Sequence, residues 1–421
     1  MTIKTLYPTV RPTLNLDFAK TKALDPRITF TRASTGTFMG SNGLIKTAAS
    51  GAARFDHNQT TEESLGLLIE GESTNMFTYS EQFDNAQWVL GGNITGTTNV
   101  SANQTTAPDG TSAADLITIS STTSRFGAGV AFRTGCAPNT TYTASFFVKA
   151  KELTRVAIVG WDSGYGFRSS GGFNMATQSW YGTSYGVFNR SYQAFPNGWY
   201  RLNFTFVTSS AGANAISILI SNPDGTATDG MFDSGFLYNG TPYSGQGLYI
   251  WGAQLETSSF PTSYIPTVAS TVTRAADVAS ITGTNFSSWY NQSEGTILWS
   301  SRKYVNGGAG AEAKDYFVLD NFQLNDEGTT IQASKAGVGY YYIGPTVNLN
   351  TSFKVAIALK NGSYAGSTNG QVASASALQA IDPASTSLNL TPTRVISGTI
   401  ARLTYYPVRL PDAQLQALTA T

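Results

Sequence analysis

The sequence predicts an all-β protein made of two antiparallel β-sandwiches that follow an extended N-terminal segment. The chain has 421 residues, of which 42 are Gly and 15 are Pro, 12% are aromatic and only 12% are charged. The charged share is about half of the usual one, and Ser, Thr, Asn and Gly supply the polarity instead, which suits turns and exposed strand faces. Apolar and polar residues alternate in many short runs, as in half-buried strands.

Residues 1–75 form the least regular segment. Pro8 and Pro12 favour an extended start. Residues 14–18 and 65–70 alternate like strands, and the Asn42-Gly43 pair favours a type I′ hairpin turn between two more. Two interpretations stay open for this segment: it is a docking arm, or it donates edge strands to the sandwich that follows.

Residues 76–268 are predicted to form the first sandwich. Its strand candidates are residues 114–120, 141–149, 154–160, 199–208, 215–221 and 248–255. Turn signals such as Pro108-Asp-Gly, Pro196-Asn-Gly and Pro223-Asp-Gly lie between them, and short strands with this punctuation indicate a sandwich or a barrel. Pro261 and Pro266 then predict an extended connector, because proline is excluded from central strands.

A linker is expected at residues 269–284, and residues 285–421 are predicted to form the second sandwich. Its strand candidates are residues 295–301, 317–319, 330–333, 339–343, 353–360, 387–390 and 400–406. A short terminal helix is expected from Leu410, with Pro411 in its first turn and an apolar side that includes Leu415 and Leu418. Limited proteolysis is expected to cut between the sandwiches.

The balance of charges, the one cysteine and the one histidine exclude several classes of function. Lys plus Arg and Asp plus Glu number 26 each, so the chain as a whole has no electrostatic attraction for nucleic acid or anionic membrane. Cys136 is the one cysteine, which excludes an intramolecular disulfide and a cysteine-cluster zinc site. His57 is the one histidine, and with Asp56 beside it we interpret it as part of a polar turn rather than a catalytic dyad.

No apolar run approaches the ~20 residues that a membrane span needs, and residues 1–9 lack the apolar core of a secretory signal. We therefore expect a protein that is assembled in the cytoplasm and does not insert into a membrane. No Walker loop or nucleophile elbow is present, and the glycine-rich stretch from Gly307 to Gly310 lacks the Lys-Ser/Thr of a phosphate loop, so the sequence predicts no enzyme.

Four stretches carry a resemblance to a known class of proteins. They are Gly247-Leu-Tyr-Ile-Trp-Gly-Ala-Gln-Leu-Glu with Phe260-Pro-Thr-Ser-Tyr-Ile-Pro-Thr and Thr273-Arg-Ala-Ala-Asp, then Arg27-Ile-Thr-Phe-Thr-Arg-Ala-Ser-Thr-Gly, then Gly66-Leu-Leu-Ile-Glu-Gly-Glu-Ser-Thr-Asn, then Asn197-Gly-Trp-Tyr-Arg. Taken together, in their order along the chain, they resemble fibre, spike, minor tail and head-decoration proteins of tailed bacteriophages. In addition, Gly295-Thr-Ile and the run from Ile400 before the terminal helix resemble the concanavalin/laminin-G-like module of such proteins.

The resemblance implies a jelly-roll sandwich of the carbohydrate-binding-module kind, followed by the concanavalin/laminin-G-like sandwich. It also implies a virion protein that is exposed on the extracellular particle, is attached to other virion proteins through its N-terminal segment, and adheres to host surface polysaccharide. We expect a homotrimer, because closed cyclic symmetry is the rule for homo-oligomers and phage fibres match a threefold attachment. Two alternatives remain: a purely structural decoration protein of capsid or tail, and a polysaccharide depolymerase.

Twelve aromatic residues fall between positions 161 and 200, and five of them are the candidate glycan site. Sugar rings present apolar C–H faces, which aromatic surfaces flanked by polar groups can bind. The five stand in stretches with the composition of loops: Trp161, Tyr165, Trp180, Tyr181 and Tyr185. The alternative is that these rings fill the sandwich core or a subunit interface. Trp199 and Trp251 are expected in the core, with Arg201 as a structural pairing partner.

Acidic residues give a weaker signal. Glu70, Glu72 and Asp84 could hold a structural calcium ion, although no Asp-x-Asp-x-Asp loop is present. Glu62, Glu63, Asp315 and Asp320 are interpreted as ordinary solvated acids, and the sequence pairs no two carboxylates for glycoside hydrolysis.

Overall fold

The structure is a computed structural model that describes residues 7–89, 98–120, 123–124, 128–161, 167–185, 187–220, 238–239, 243–305, 314–320, 322–328, 330–335, 339–345, 347–371, 374–376, 384–392 and 397–420. It is an all-β protein with large antiparallel sheets and short helices, which confirms the predicted fold class. Tyr165 and residues 307–310 lie outside the described residues.

The chain folds into two compact units whose boundaries differ from the expected ones. Unit 1 comprises Met1–Ser41, Thr47–Glu72 and Ala275–Thr421. Unit 2 comprises Asn42–Lys46 and Ser73–Arg274, so most of it is inserted into the sequence of unit 1. Most of the N-terminal segment is therefore part of unit 1, whereas its residues 42–46 belong to unit 2.

The first part of the chain contributes short elements. They are β1 (Leu14–Asp17), α1 (Phe18–Thr21), β2 (Thr29–Thr31), β3 (Gly36–Met39), β4 (Ile45–Ala48), β5 (Arg54–His57) and β6 (Ser64–Ile69). The turn expected at Asn42-Gly43 lies between β3 and β4, but it is not of type I′. Gly43 has a φ of 68°, whereas Asn42 lacks the positive φ that this type also requires.

Unit 2 continues with sixteen strands in the described residues. They are β7 (Ser73–Asn75), β8 (Trp88–Val89), β9 (Thr98–Thr105), β10 (Ala114–Ile119), β11 (Thr123–Ser124), β12 (Ala128–Cys136), β13 (Thr141–Ala150), β14 (Arg155–Trp161), β15 (Phe167–Asn174), β16 (Ser179–Tyr185), β17 (Val187–Ala194), β18 (Trp199–Val207), β19 (Ala213–Ile220), β20 (Tyr238–Asn239), β21 (Gly247–Glu256) and β22 (Val272–Arg274). A 3-10 turn at Pro196–Gly198 precedes β18.

The last part of unit 1 completes its sheets. Its elements are β23 (Val278–Thr282), α2 (Gly283–Ser287), β24 (Glu294–Lys303), β25 (Lys314–Leu319), β26 (Phe322–Asp326), β27 (Thr330–Lys335), β28 (Gly339–Pro345), β29 (Ser352–Lys360), β30 (Ser363–Thr368), β31 (Ser374–Ser376), β32 (Ser387–Asn389), β33 (Gly398–Tyr406) and α3 (Asp412–Thr419). Pro411 immediately precedes α3, close to its predicted position.

Unit 1 combines N-terminal and C-terminal strands in two sheets. One has the order β31-β30-β29-β24-β33-β6-β5, with β1 also paired to β33, and the other has the order β2-β23-β32-β25-β26-β27-β28. The two sheets face each other, since Trp299 of β24 lies 5.3 Å from Phe317 of β25 and Phe353 of β29 lies 5.3 Å from Tyr316. On the first sheet, Leu410 and Leu415 pack against small residues such as Ala356.

Unit 2 is a sandwich of two six-stranded sheets. The first has the order β17-β18-β13-β21-β10-β9 and the second has the order β16-β15-β14-β19-β12-β8. Alternate side chains of both sheets point into one core, where Phe77 contacts Phe132 of the second sheet and Phe146 of the first at 5.0 and 5.8 Å. β7 and β22, through which the chain enters and leaves unit 2, pair with each other.

The N-terminal segment contributes to the core of unit 1. β1 pairs with β33 over four residues, and the side chains of Leu14, Leu16 and Phe18 are at most 3% exposed. Two large apolar residues before β1, Tyr7 and Val10, are instead 55% and 38% exposed. Within the described residues, positions 7–12 are thus the mostly exposed part of the segment.

We predict that deleting residues 1–22 unfolds unit 1. The deletion removes a strand and three buried apolar side chains, each of which contributes about 2–5 kcal/mol, against a typical domain stability of about 5–15 kcal/mol. Deleting residues 1–11 leaves β1 and these three side chains in place and serves as the matched control. Urea unfolding followed by circular dichroism checks this, and equal stability of the two truncated proteins would contradict it.

Candidate functional site

The aromatic-rich region forms strands rather than the expected loops. Trp161 ends β14, and Trp180, Tyr181 and Tyr185 all lie in β16. Aromatic side chains fit a pleated sheet surface well, and here they alternate with Gly, Ser and Thr. Because successive strand residues point to opposite faces, neighbours in this sequence cannot share one binding surface.

Trp180 lies on the core side of its sheet. It stands opposite Phe173 in the ladder of β15 and β16, its ring centroid is 5.1 Å from that of Phe173, and it packs against the core of unit 2. The guanidinium of Arg190 lies 5.4 Å from the ring centre. Trp180 is therefore a packing residue, and the structure separates it from Trp161 and Tyr181.

Tyr181 lies on the opposite, outer face of the same sheet. Its ring lies directly over Gly172, where a Cβ atom would come within 2.4 Å of two ring carbons. The guanidinium carbon of Arg155 lies 4.0 Å from the ring centre, which is a cation–π arrangement. The absence of a side chain at Gly172 thus allows a flat Tyr181–Arg155 stack to form on the sheet.

Trp161 lies on this outer face too. Its indole Nε1 donates a 2.9 Å hydrogen bond to Oγ of Ser217, a β19 residue that stands opposite Val159 in the ladder with β14. Tyr181 is level with Ala157, four residues before Trp161 along β14 and two strands away. With about 3.3 Å per residue and about 4.8 Å per strand, the backbone positions of the two residues are on the order of 15 Å apart. The Tyr181 side chain extends toward β14, where its hydroxyl lies 3.4 Å from the carbonyl oxygen of Val156.

The remaining two candidates contribute less. Tyr165 lies outside the described residues, and for Tyr185 the structure gives a backbone position in β16, opposite Ser170. Arg155 is a site residue that the sequence reasoning missed. The available signal was the alternation of β14, which puts residues 155, 157, 159 and 161 on one face.

The aromatic residues expected in the core are there. Trp199 and Trp251 are 2% and 1% exposed. Arg201 is also buried, donates to Oγ of Ser145 and lies 5.4 Å from the ring centre of Phe147, so its expected structural role fits its position.

Three of the motifs behind the phage resemblance meet in one buried cluster of unit 1. Arg54 donates to Oε2 of Glu70 at 2.7 Å and to Oδ2 of Asp277 at 2.6 Å, and Arg32 donates to Oδ1 of Asp277 at 3.2 Å. The side chains of all four residues are at most 3% exposed. Two cations and two anions make the cluster neutral, as a buried charge group must be to keep its desolvation tolerable.

Backbone contacts complete this cluster. Asp277 accepts from the backbone N–H of Glu70 at 2.9 Å, and its own N–H donates to the carbonyl of Glu70 at 3.0 Å. Burial alone would lower the pKa of Arg54, but the attraction of Glu70 and Asp277 outweighs it and raises that pKa. Gly36 leaves room for the cation pair, since a Cβ there would lie 3.1 Å from Nε of Arg32. We therefore assign the cluster a structural role.

The motif residues in unit 2 form a second buried polar network. Asn75 donates to the carbonyls of Ala253 and Ile265 at 2.9 and 2.8 Å and accepts from two backbone N–H groups. Glu256 accepts from Oγ of Ser73 and from both the N–H and the hydroxyl of Thr262. These contacts fasten the proline-containing connector after β21 onto the sheet, so the motif residues are structural here as well.

The acidic candidates are dispersed. Glu70 is engaged with Arg54 in unit 1, whereas Asp84 belongs to unit 2. Asp315 is 3% exposed and not a solvated acid, while Asp320 accepts from the backbone N–H of Thr386 and the hydroxyl of Ser387. In the described part of the chain, no group of three or more His, Cys, Asp or Glu residues could hold a metal ion.

His57 and Asp56 are buried in β5 rather than placed in a polar turn. Asp56 accepts from the N–H of Met39 at 2.6 Å and from the hydroxyl of Tyr304 at 3.2 Å. Nδ1 of His57 lies 3.0 Å from the carbonyl oxygen of Met39, which can only accept, so Nδ1 carries the hydrogen. Burial raises the pKa of Asp56 to about 6.

Comparisons with known proteins found little similarity to this chain. No protein-family model and no curated protein matches the chain. Among solved structures, the chain shows a likeness to domain 4 of an extracellular GH43 arabinanase from Geobacillus stearothermophilus, solved in complex with arabinotriose. The identity is 14%, the match covers 37% of this chain and 80% of that one, and the TM-score of 0.26 is too low to support an argument. No helix among the described residues has the length and apolarity needed to cross a membrane.

We predict that Asp277→Asn destabilises unit 1 by about 3–5 kcal/mol, because it leaves two buried guanidinium groups facing one carboxylate. Asp25→Asn, which disrupts the partly exposed ion pair between Asp25 and Arg27, is the matched control and costs less than about 1 kcal/mol. Urea unfolding followed by tryptophan fluorescence measures both changes. Similar losses in the two variants would contradict the role assigned to the cluster.

We also predict that Asp56 makes the stability of unit 1 depend on pH. Its pKa of about 6 in the folded chain lies above the ordinary value, so its stabilisation is complete below about pH 4 and is lost as the pH rises through 6. Two pKa units correspond to about 3 kcal/mol. Asp56→Asn removes this part of the dependence, and unfolding midpoints at pH 5.0 and 7.5 in both proteins test it; an unchanged difference would refute the assignment.

Proposed function

We propose that this chain is a non-enzymatic structural protein of a tailed-phage particle, and that unit 2 binds polysaccharide on the bacterial surface. The ordered motifs support the virion setting. The outer sheet face with Trp161, Tyr181 and Arg155 supports the binding role, and it is the observation on which the glycan proposal rests.

This face combines partly exposed flat groups with small residues that are buried. Small residues such as Gly172 and Ala157 lie beneath or beside the Tyr181–Arg155 stack. Trp161 is held by its hydrogen bond to Ser217, so its ring has a defined orientation on the sheet. A flat surface of this kind suits the C–H faces of sugar rings, with polar groups at the rim to bond hydroxyls.

Arg155, rather than Tyr181, is the polar contact in this proposal. Gly172 and Arg155 cover the two faces of the Tyr181 ring, so that ring serves as a platform. The guanidinium above it carries hydrogen-bond donors and a charge that suit sugar hydroxyls and the carboxylates of acidic polysaccharides. The backbone positions of Trp161 and Tyr181 are on the order of 15 Å apart, so a chain of several sugars suits this face better than a single sugar does.

The attachment proposal is narrower than the one drawn from the sequence. The chain is paired in a sheet of unit 1 from Leu14 onward, so attachment to other virion proteins is assigned to the segment before β1, where Tyr7 and Val10 are exposed. A homotrimer remains part of the proposal, because repeated copies of a weak site increase adhesion through effective concentration.

One observation favours a second candidate, a purely structural decoration protein. Each of the aromatic residues described on the outer face already has a partner within unit 2, Trp161 with Ser217 and Tyr181 with Arg155. Such contacts are also typical of packing without a ligand.

We predict that Trp161→Ala and Arg155→Ala each weaken binding of the purified protein to an array of bacterial capsular and cell-wall polysaccharides. A lost ring contact of about 1 kcal/mol corresponds to roughly a fivefold weaker Kd per site. Gly172→Ala has a similar effect because it displaces Tyr181 without removing an aromatic residue.

Tyr342→Ala, which removes a 51% exposed tyrosine of unit 1, is the matched control and binds like the wild type. Circular dichroism confirms that each variant is folded. If the wild type binds none of the polysaccharides, or if all variants bind as it does, the glycan proposal fails and the decoration protein is the better account.

A further inference from the structure

A second buried ion pair in unit 1 lies between its two sheets. Lys303 is the last residue of β24 in one sheet, and Asp326 is the last residue of β26 in the other. Nζ of Lys303 is 2.5 Å from Oδ2 of Asp326, and both side chains are 0% exposed. Direct contact of a lysine and an aspartate inside a sandwich core places an amine against a carboxyl group where water is excluded.

The two carboxyl oxygens of Asp326 have different partners. Oδ2, beside the lysine, also accepts a 3.1 Å hydrogen bond from the hydroxyl of Tyr316. Oδ1 accepts a 2.8 Å hydrogen bond from the backbone N–H of Gly328. One oxygen is therefore surrounded by side-chain protons, whereas the other is held by a fixed backbone donor.

The pair is bordered by apolar rings. Tyr316, which contacts the carboxylate, packs against Phe353 at 5.3 Å and Trp299 at 6.5 Å between ring centroids. Transfer of one proton from Nζ to Oδ2 gives an amine and a carboxylic acid in contact, which are the two reactants of amide formation.

We propose that Lys303 and Asp326 condense to an intramolecular amide bond that joins the two sheets of unit 1. Nζ attacks Cγ of Asp326, so a new N–C bond forms and the Cγ–Oδ2 bond breaks. Oδ2 leaves with two protons that come from the lysine ammonium, as one molecule of water. The step is neither an oxidation nor a reduction and needs no co-reactant.

The hydrogen bonds of the site match the charges that develop in this step. Negative charge on Oδ1 in the tetrahedral intermediate is stabilised by the N–H of Gly328, in the manner of an oxyanion hole. The hydroxyl of Tyr316 assists departure of Oδ2 because it already donates to that oxygen. The fold holds both reactants in contact, which converts a slow bimolecular condensation into an intramolecular one.

The mass of the intact full-length protein under denaturing conditions tests the proposal, which does not depend on the proposed function. The wild type is expected to be lighter than its sequence by one water, and a protease digest is expected to contain a branched peptide that joins Lys303 to Asp326. Lys303→Arg keeps the positive charge but cannot form the amide at this position, so its mass equals the sequence mass. Tyr316→Phe reduces the fraction converted at a given time after purification.

The mass and the peptide digest of the wild type test the amide bond even if a variant fails to fold. A full sequence mass together with separate Lys303 and Asp326 peptides, both at purification and after days of incubation, overturns the proposal. A loss of water that maps elsewhere, for example to a succinimide at Asp109-Gly110, overturns it as well.

Discussion

The contact between Arg54 and Asp277 is the interaction on which the architecture of unit 1 depends. Asp277 follows the inserted unit in the sequence, whereas Arg54, Arg32 and Glu70 precede it, and the four side chains meet in a dry interior. Removing all four from water is costly, so the cluster is tolerable only when each charge has its partner. It therefore selects the arrangement in which the two distant parts of the chain come together.

The structural role of these residues explains why the motifs that resemble phage proteins indicate an architecture and not a ligand. Arg32, Glu70 and Asp277 belong to three different motifs and are used within one cluster. Asn75 and Glu256 belong to two of the motifs, and their hydrogen bonds hold the connector after β21 against the sheet. The residues proposed to contact sugar, Arg155 and Trp161, lie outside all the motifs.

The fold class can be predicted from local sequence patterns, whereas the division of the chain into two units cannot. Alternation and turn residues locate β13, β18, β21, β24 and β29 because each strand carries its own pattern. No local pattern predicts that β1 pairs with β33, because that pairing joins strands from opposite ends of the sequence. The site was only partly predictable for a related reason. The aromatic residues were identified by composition. Trp180 and Tyr181 are consecutive residues of β16, however, so Trp180 lies on the core side and Tyr181 lies on the outer face.

The insertion of unit 2 also sets an order of events during synthesis. β1, β5 and β6 leave the ribosome first, with apolar residues such as Leu67 and Ile69 that have no complete sheet to join until β24 and β33 are made. Unit 2 is nearly continuous in sequence and can fold in the interval, and its paired strands β7 and β22 then bring the two flanking parts of the chain close together. A folded insert thus shortens the loop that unit 1 has to close, which lowers the entropic cost of its late assembly. Nascent chains stalled within unit 2 would accordingly expose the unpaired N-terminal strands and depend on chaperones.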